Sequence, residues 1–220
     1  MSQHIYTTFA QHDVILDAGC ALILPKLGLL IVSDLHFEKG SFLATSNDLL
    51  PQYDTLDTII RLREMITRYQ PHTVVCLGDS FHDAYAHHRI SDSLCEQINN
   101  LCDSVAQWIW VLGNHDPDIA DCFKGKRMAH CETGQMLLTH EPMEATMPQI
   151  IGHFHPKTRI KMVRSRISGK CFVQNEHYLL MPSFGSYTGG LDTSHQAIHS
   201  YIPKPEQQKF FIYNQRIWKI

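Results

Sequence analysis

LLIVSDLHFEKGS, residues 29–41, carries four apolar side chains, Leu29 to Val32, straight into Ser33-Asp34-Leu35-His36. The pattern predicts a short buried strand that ends abruptly in polar residues. On an extended chain, Asp34 and His36 at i and i+2 fall on the same side, so a carboxylate and an imidazole meet just past the strand end. Such a pair suits a divalent cation. One pair is weak evidence alone, but the same event recurs along the chain.

Thr73 to Leu77 is a second apolar run, and it stops at Gly78-Asp79-Ser80-Phe81-His82-Asp83. Trp108 to Leu112 is a third, breaking into Gly113-Asn114-His115-Asp116-Pro117. Between them lie two helical faces. One starts at Asp54 as N-cap and carries Leu56, Ile59, Ile60, Ile66 and Tyr69 before Pro71; the other is capped at Ser91 and carries Leu94, Ile98, Leu101 and Val105. Strand and helix alternate, which predicts βαβ units and a parallel sheet, with functional groups at the carboxyl ends of the strands. Ahead of them, residues 3–24 read as two short strands, Asp13 to Asp17 and Ala21 to Leu24, joined at Ala18-Gly19.

The second half is richer in strands. Gln135 to Leu138 leads to His140-Glu141-Pro142, and Pro148 to Ile151 leads to Gly152-His153-Phe154-His155. Further runs lie at 160–163, 171–173 and 178–181, followed by the glycine-rich PSFGSYTGGLD at 182–192 and a terminal hairpin bending at Asn214-Gln215. With no repeat or linker, the expectation is one domain, residues 1–220, in which the second half supplies a second sheet packed on the first.

The chain has 220 residues, 44% hydrophobic and 19% charged, so it is long enough to bury a core and is globular in class. A net charge of −3 argues against coating nucleic acid by bulk charge, without excluding a local basic face. No apolar run of about 18 residues and no leader pattern is found, so neither a membrane span nor a signal peptide is expected. Seven scattered cysteines without a Cys-x-x-Cys pair predict reduced thiols in a cytoplasmic protein. Fifteen histidines are the anomaly, and their positions matter.

Collected, the strand-end residues are Asp34, His36, Asp79, Asn114, His115, His140, His153 and His155. Carboxylate oxygen, amide oxygen and imidazole nitrogen without thiolate favour Mn²⁺, Fe or Zn²⁺. The set is too large for one ion with open positions, whereas two ions sharing a carboxylate fit it, as in two-metal displacement at phosphorus.

Asp34-x-His36, Gly78-Asp79, Gly113-Asn114-His115-Asp116, the lone His140 and Gly152-His153-x-His155 together resemble the ordered signature of the calcineurin-like metallophosphoesterases. The resemblance implies a four-layer α/β/β/α sandwich. It implies that Asp34, His36 and His155 bind one metal, that Asn114, His140 and His153 bind the other, and that Asp79 bridges them. A hydroxide shared by the metals would attack phosphorus, with His115 stabilising the transition state and protonating the leaving oxygen. Asp116 completes the catalytic block. His82 stands where the Ser/Thr phosphatase branch has an Asp, and Gly-Asp-x-Phe-His is similar instead to the DNA-repair nuclease branch. His82 is therefore a candidate substrate-side group; a solvent-facing His82, or Asp83 orienting the catalytic histidine, stays open.

SDLHFEKGS, GDSFHD, GNHDP, HEP, GHFHP and PSFGSYTGGLD resemble, over residues 29–192, the bacterial ligase-associated DNA-damage-response endonucleases. That implies a Mn²⁺-dependent DNA endonuclease or phosphodiesterase in DNA repair, functionally associated with a DNA ligase and a helicase. Two alternatives remain: a phosphodiesterase or phosphatase on a small nucleotide-like substrate, and a non-catalytic scaffold of the same fold. The scaffold is disfavoured because His115 and every metal position are present. Among secondary signals, Lys157, Arg159 and Lys161 alternate on one strand face, with Arg164, Arg166 and Lys170 beyond. They are either a phosphate track or a charge-protected edge. Phe37, Phe42, Phe184 and Tyr187 are each core or base-stacking residues, and Lys39 and Ser41 are surface-turn or substrate-contact residues.

Overall fold

The computed structural model describes residues 2–44, 53–161 and 166–220. Arg164 and the end of the strand run at 160–163 lie outside them. The first sheet begins with an antiparallel meander, β1 (His4–Phe9), β2 (His12–Asp17), β3 (Ala21–Leu24) and β4 (Leu29–Val32). A short α1 (Lys39–Ala44) follows, then α2 (Asp54–Tyr69), β5 (Thr73–Leu77), a one-turn α3 (Ala86–Arg89), α4 (Asp92–Asp103), β6 (Gln107–Val111) and β7 (Lys126–Met128). β4 to β7 are parallel neighbours, as the alternation of strand and helix predicts. β4 is buried on both faces and so, past its first residue, is β5, which explains their unbroken apolar runs.

The second sheet comprises β8 (Cys131–Thr133), β9 (Met136–Thr139), β10 (Gln149–Ile151), β12 (Arg166–Gln174), β13 (Tyr178–Leu180), β14 (Gln208–Tyr213) and β15 (Arg216–Lys219), with β11 (Lys157–Lys161) paired to β12. A main core joins Ile31, Val75 and Trp110 of the first sheet to Leu138, Ile150, Phe172 and Leu179 of the second, and includes Ile59 and Leu62 of α2 and Ile98 of α4. A smaller core puts Ile198 of α5 (Gln196–His199), with Ile202, against Ile151, Cys171, Val173 and Leu180. Helices thus flank two stacked sheets, the α/β/β/α sandwich.

Several local expectations change. The amino-terminal segment holds three strands rather than two, because β1 pairs with β2 across a tight turn at Ala10-Gln11. The N-cap of α2 is Tyr53, not Asp54; the Asp54 carboxylate instead accepts from Gly40 N at 2.8 Å, tying α1 to α2. Ser91 caps α4 as expected, accepting from Leu94 N. All seven cysteines are free, five of them buried and Cys122 exposed. Among the described residues, no helix is long and apolar enough to cross a membrane.

The β14–β15 hairpin turns at Asn214 and Gln215, both left-handed at φ +46° and +55°. This is the geometry that favours Asn-Gly, since a β-carbon at the second position is strained there. Gln215→Gly should therefore raise stability by about 0.5–1 kcal/mol. The urea midpoint should increase at unchanged m-value.

Candidate metal centre

The chain leaves β4 and β5 side by side. Asp34 N donates to Gly78 O, His36 N to Asp79 O and Phe37 N to Ser80 O, so the ladder continues into the loops. Those loops are not extended. Asp34, His36, Asp79, His153 and His155 all adopt left-handed backbone, with φ between +44° and +62°. The extended reasoning for both i, i+2 pairs is thereby corrected: the left-handed residues turn each side chain back toward the sheet edge. Such conformations cost on the order of 1–3 kcal/mol each and persist only where the surroundings impose them.

Asp34, His36 and His155 offer ligand atoms within 4.8 Å of one another; so do Asp79, His140 and His153. The first is a set the resemblance implies; the second joins His140 and His153 to Asp79, which the resemblance makes the bridge, and a third set, His36, His82 and His115, converges as closely. In the first, Asp34 Oδ1 and His155 Nε2 face each other at 2.8 Å with no other partner among the described residues, and His36 Nε2 is buried there without one. Asp34 Oδ2 is already occupied, accepting from Ser33 Oγ and from His153 N. In the second, His140 Nε2 and His153 Nδ1 lie 3.0 and 3.1 Å from Asn114 Oδ1 and 3.3 Å from each other, with Asp79 Oδ2 3.3 Å from His140 Nε2. Unpartnered buried atoms converging in the first group fit a cation, and the oxygen–nitrogen donor set of both groups fits divalent metals.

The electrostatics differ between the groups: His36 is held neutral, whereas His140 is held protonated by its carboxylate partners and gives up that proton to ligate. Burial holds His36 down to about 3, neutral as a ligand must be. Asp79 stays at about 2: against burial, the His140 hydrogen bond and charge dominate. His140 rises to about 9 because, against burial, its bonds and charge partners at Asp79 and Asp34 prevail.

His115 stands at the open side, its side chain 41% exposed, with Nδ1 2.8 Å from His82 O and its ring stacked on His82. His82 is buried rather than solvent-facing, lying 3.4 Å from His36 Nδ1 and edge-on to Phe42. Asp83 does not orient His115; its carboxylate accepts from Arg89 and from Tyr85 N. Asp116, expected among the catalytic side chains, is 1% exposed and accepts four amides, those of Asp79, Ser80, Phe81 and Gly113. It ties the Asp79 loop to the Gly113 loop and acts on chemistry through them. Phe37 and Phe184 are core residues, whereas Phe42 and Tyr187 are more than 40% exposed. Ser41 bonds Glu38, and the half-buried Lys39 feels Asp79 and Asp34.

Sequence reasoning missed three supports. Ser33 fixes the Asp34 carboxylate. Lys170, counted there as one of a basic run, turns its ammonium inward to Ser183 O and Gly185 O, while Arg61 of α2 donates to Phe184 O. Phe184 N and Gly185 N in turn donate to Ser33 O and Asp34 O, so the two cations brace a loop that braces the ligands. Nothing local marks any of these. Gly152 carries a clearer signal: a β-carbon there would lie 2.1 Å from Ser33 Oγ, so only glycine lets the His153 loop close on Asp34.

A family model for the calcineurin-like phosphoesterases matches residues 27–163, and the chain belongs to that family. It is accordingly a metal-dependent phosphoesterase. No curated protein sequence matches it. Among solved structures it is similar to the nuclease MPE of Pseudomonas putida, at 22% identity and a TM-score of 0.77, covering 99% of this chain and 100% of that one. It is also similar to Yfce, a phosphoesterase from E. coli, at 14% identity and a TM-score of 0.42 over 87% of this chain and 97% of the other.

Burial pushes the Asp116 carboxyl up to about 7 although its amide partners pull it down. At pH 8 the carboxylate accepts all four amides, and Asp116→Asn would turn an NH₂ against them. The expected loss is about 2–4 kcal/mol in urea unfolding. Divalent-metal affinity, followed by calorimetry, should fall with it.

Proposed function

We propose that the chain is a two-metal phosphodiesterase acting on DNA in repair, in the reducing cytoplasm to which its free thiols are suited. The observation that carries this reading is the close approach of Asp34, His36 and His155, and of Asp79, His140 and His153, with Nε2 of the exposed His115 4.0 Å from Asp79 Oδ2. Asp34, His36 and His155 would hold one ion, Asn114, His140 and His153 the other, with Asp79 between them. When bound, divalent ions, Mn²⁺ ahead of Fe or Zn²⁺ for this donor set, neutralise phosphate charge and lower the pKa of water toward about 7.

The protein's own part is proton transfer and positioning. The His82 carbonyl can only accept, so His115 Nδ1 carries its hydrogen there and Nε2 is the atom that delivers a proton to the leaving oxygen. His82, stacked on that ring, fixes its plane and borders the substrate side. DNA as substrate is supported by the motif resemblance to the ligase-associated endonucleases and by the P. putida protein of the same fold, a nuclease. Functional association with a ligase and a helicase belongs to the same reading.

Chelation should abolish hydrolysis of bis(4-nitrophenyl) phosphate, and Mn²⁺ should restore it. His115→Ala should lower kcat by about 10²–10⁴-fold while two ions per chain remain bound by calorimetry. Unchanged turnover would remove His115 from the chemistry. Robust 4-nitrophenyl phosphate hydrolysis without cleavage of single-stranded or duplex DNA would replace DNA with a small monoester.

A further inference from the structure

β11 and the first half of β12 form a two-stranded antiparallel ribbon that leaves the second sheet directly after His155. Its register sets Lys157 opposite Lys170, Arg159 opposite Ser168 and Lys161 opposite Arg166. Directly opposed residues share a face, so one face carries five cations and a serine. The other face carries Thr158, Ile160, Ile167 and Gly169. That neutral side is anchored: Thr158 is buried, and a β-carbon at Gly169 would lie 2.1 Å from Ile212 O of β14.

Two directly opposed like-charge pairs are unfavourable in a sheet, and among the described residues no carboxylate is paired with the outer one, Lys161 and Arg166. Lys170 and Lys157 at the base are bonded to carbonyls of the 183–188 loop. Arg159, Lys161 and Arg166 are exposed, and among the described residues none has an ion-pair partner within 4 Å; Asp192 is the acid whose charge Arg159 feels. A charge-protected edge needs one or two lysines, not cations on both strands of the same face. The five residues of β11 extend about 14 Å, the rise of about four stacked nucleotides.

We propose that this face is a phosphate-backbone track that carries a nucleic-acid strand away from the metal centre, with Arg159, Lys161 and Arg166 each contacting a phosphate. It rests on the reading of the centre as a phosphodiesterase on DNA and adds where the strand lies. Continuity selects nucleic acid over an acidic protein: the track starts two residues from His155 and ends in solvent. In a chain of net charge −3, five of the 19 lysines and arginines share this one face.

The test uses the full chain with Arg159→Gln, Lys161→Gln and Arg166→Gln combined. A control of equal charge change carries Arg63→Gln, Lys126→Gln and Lys204→Gln, all exposed and off the ribbon. Binding of a labelled single-stranded oligonucleotide is followed by fluorescence anisotropy in chelator, from 50 to 200 mM salt. The ribbon variant should bind about tenfold or more weakly, and its log–log salt slope should be shallower by about 2. The control should keep the wild-type slope, and turnover of bis(4-nitrophenyl) phosphate should be unchanged in both. Equal slopes for ribbon variant and wild type, with DNA still cleaved, would overturn the track and leave the nuclease reading intact. A ribbon-dependent slope without cleavage of any DNA would keep the track and overturn that reading. Wild-type protein that binds no oligonucleotide, or binds an acidic peptide with the ribbon-dependent slope instead, would overturn the track.

Discussion

Asp34 Oδ1, His36 Nε2 and His155 Nε2 are buried against one another with no other partner among the described residues, and much of the molecule exists to hold them so. Each such atom costs on the order of 1–3 kcal/mol, and the left-handed backbone that aims them adds to that cost. The offset comes from outside the ligands. Asp116 gathers four amides, Ser33 occupies the spare Asp34 oxygen, and Lys170 with Arg61 braces the 183–185 loop against Ser33 and Asp34. A divalent cation relieves what these supports impose.

The two sheets divide the candidate ligands between them. Asp34, His36, Asp79 and Asn114 follow β4, β5 and β6 of the first; His140, His153 and His155 follow β9 and β10 of the second. The Asp34–His36–His155 and Asp79–His140–His153 groups each draw from both, so neither of these two exists until the sheets are packed face to face. Ion binding then reports on closure of the sandwich, and its free energy adds to that of folding. The first sheet also supplies His115, while the second extends into the basic ribbon, so the proposed proton donor and the proposed backbone track sit on opposite halves of the fold.

Much of the architecture was legible because it is written in local periodicity. β4, β5 and β6 are apolar runs buried by their position in the sandwich, and α2 and α4 show one apolar stripe each. Their polar ends named the candidate ligand set. The elements that escaped are those whose cause is not local. β7 is a three-residue, largely exposed strand that pairs because β6 lies beside it, and Asp54 serves Gly40 rather than its own helix. His115 is steered by a backbone carbonyl, a partner that no side-chain motif displays.

Alternation of apolar and polar residues, glycine placement and the order of Asp, Asn and His blocks were enough to determine the fold class and the atoms able to meet a metal, because these depend on sequence neighbours. How closely those atoms approach, which way the loops bend, and which cations turn inward to brace them were decided by tertiary structure alone. The reason is physical: a convergent site is made of residues more than a hundred positions apart, and their distances become defined only when both sheets close on a common core.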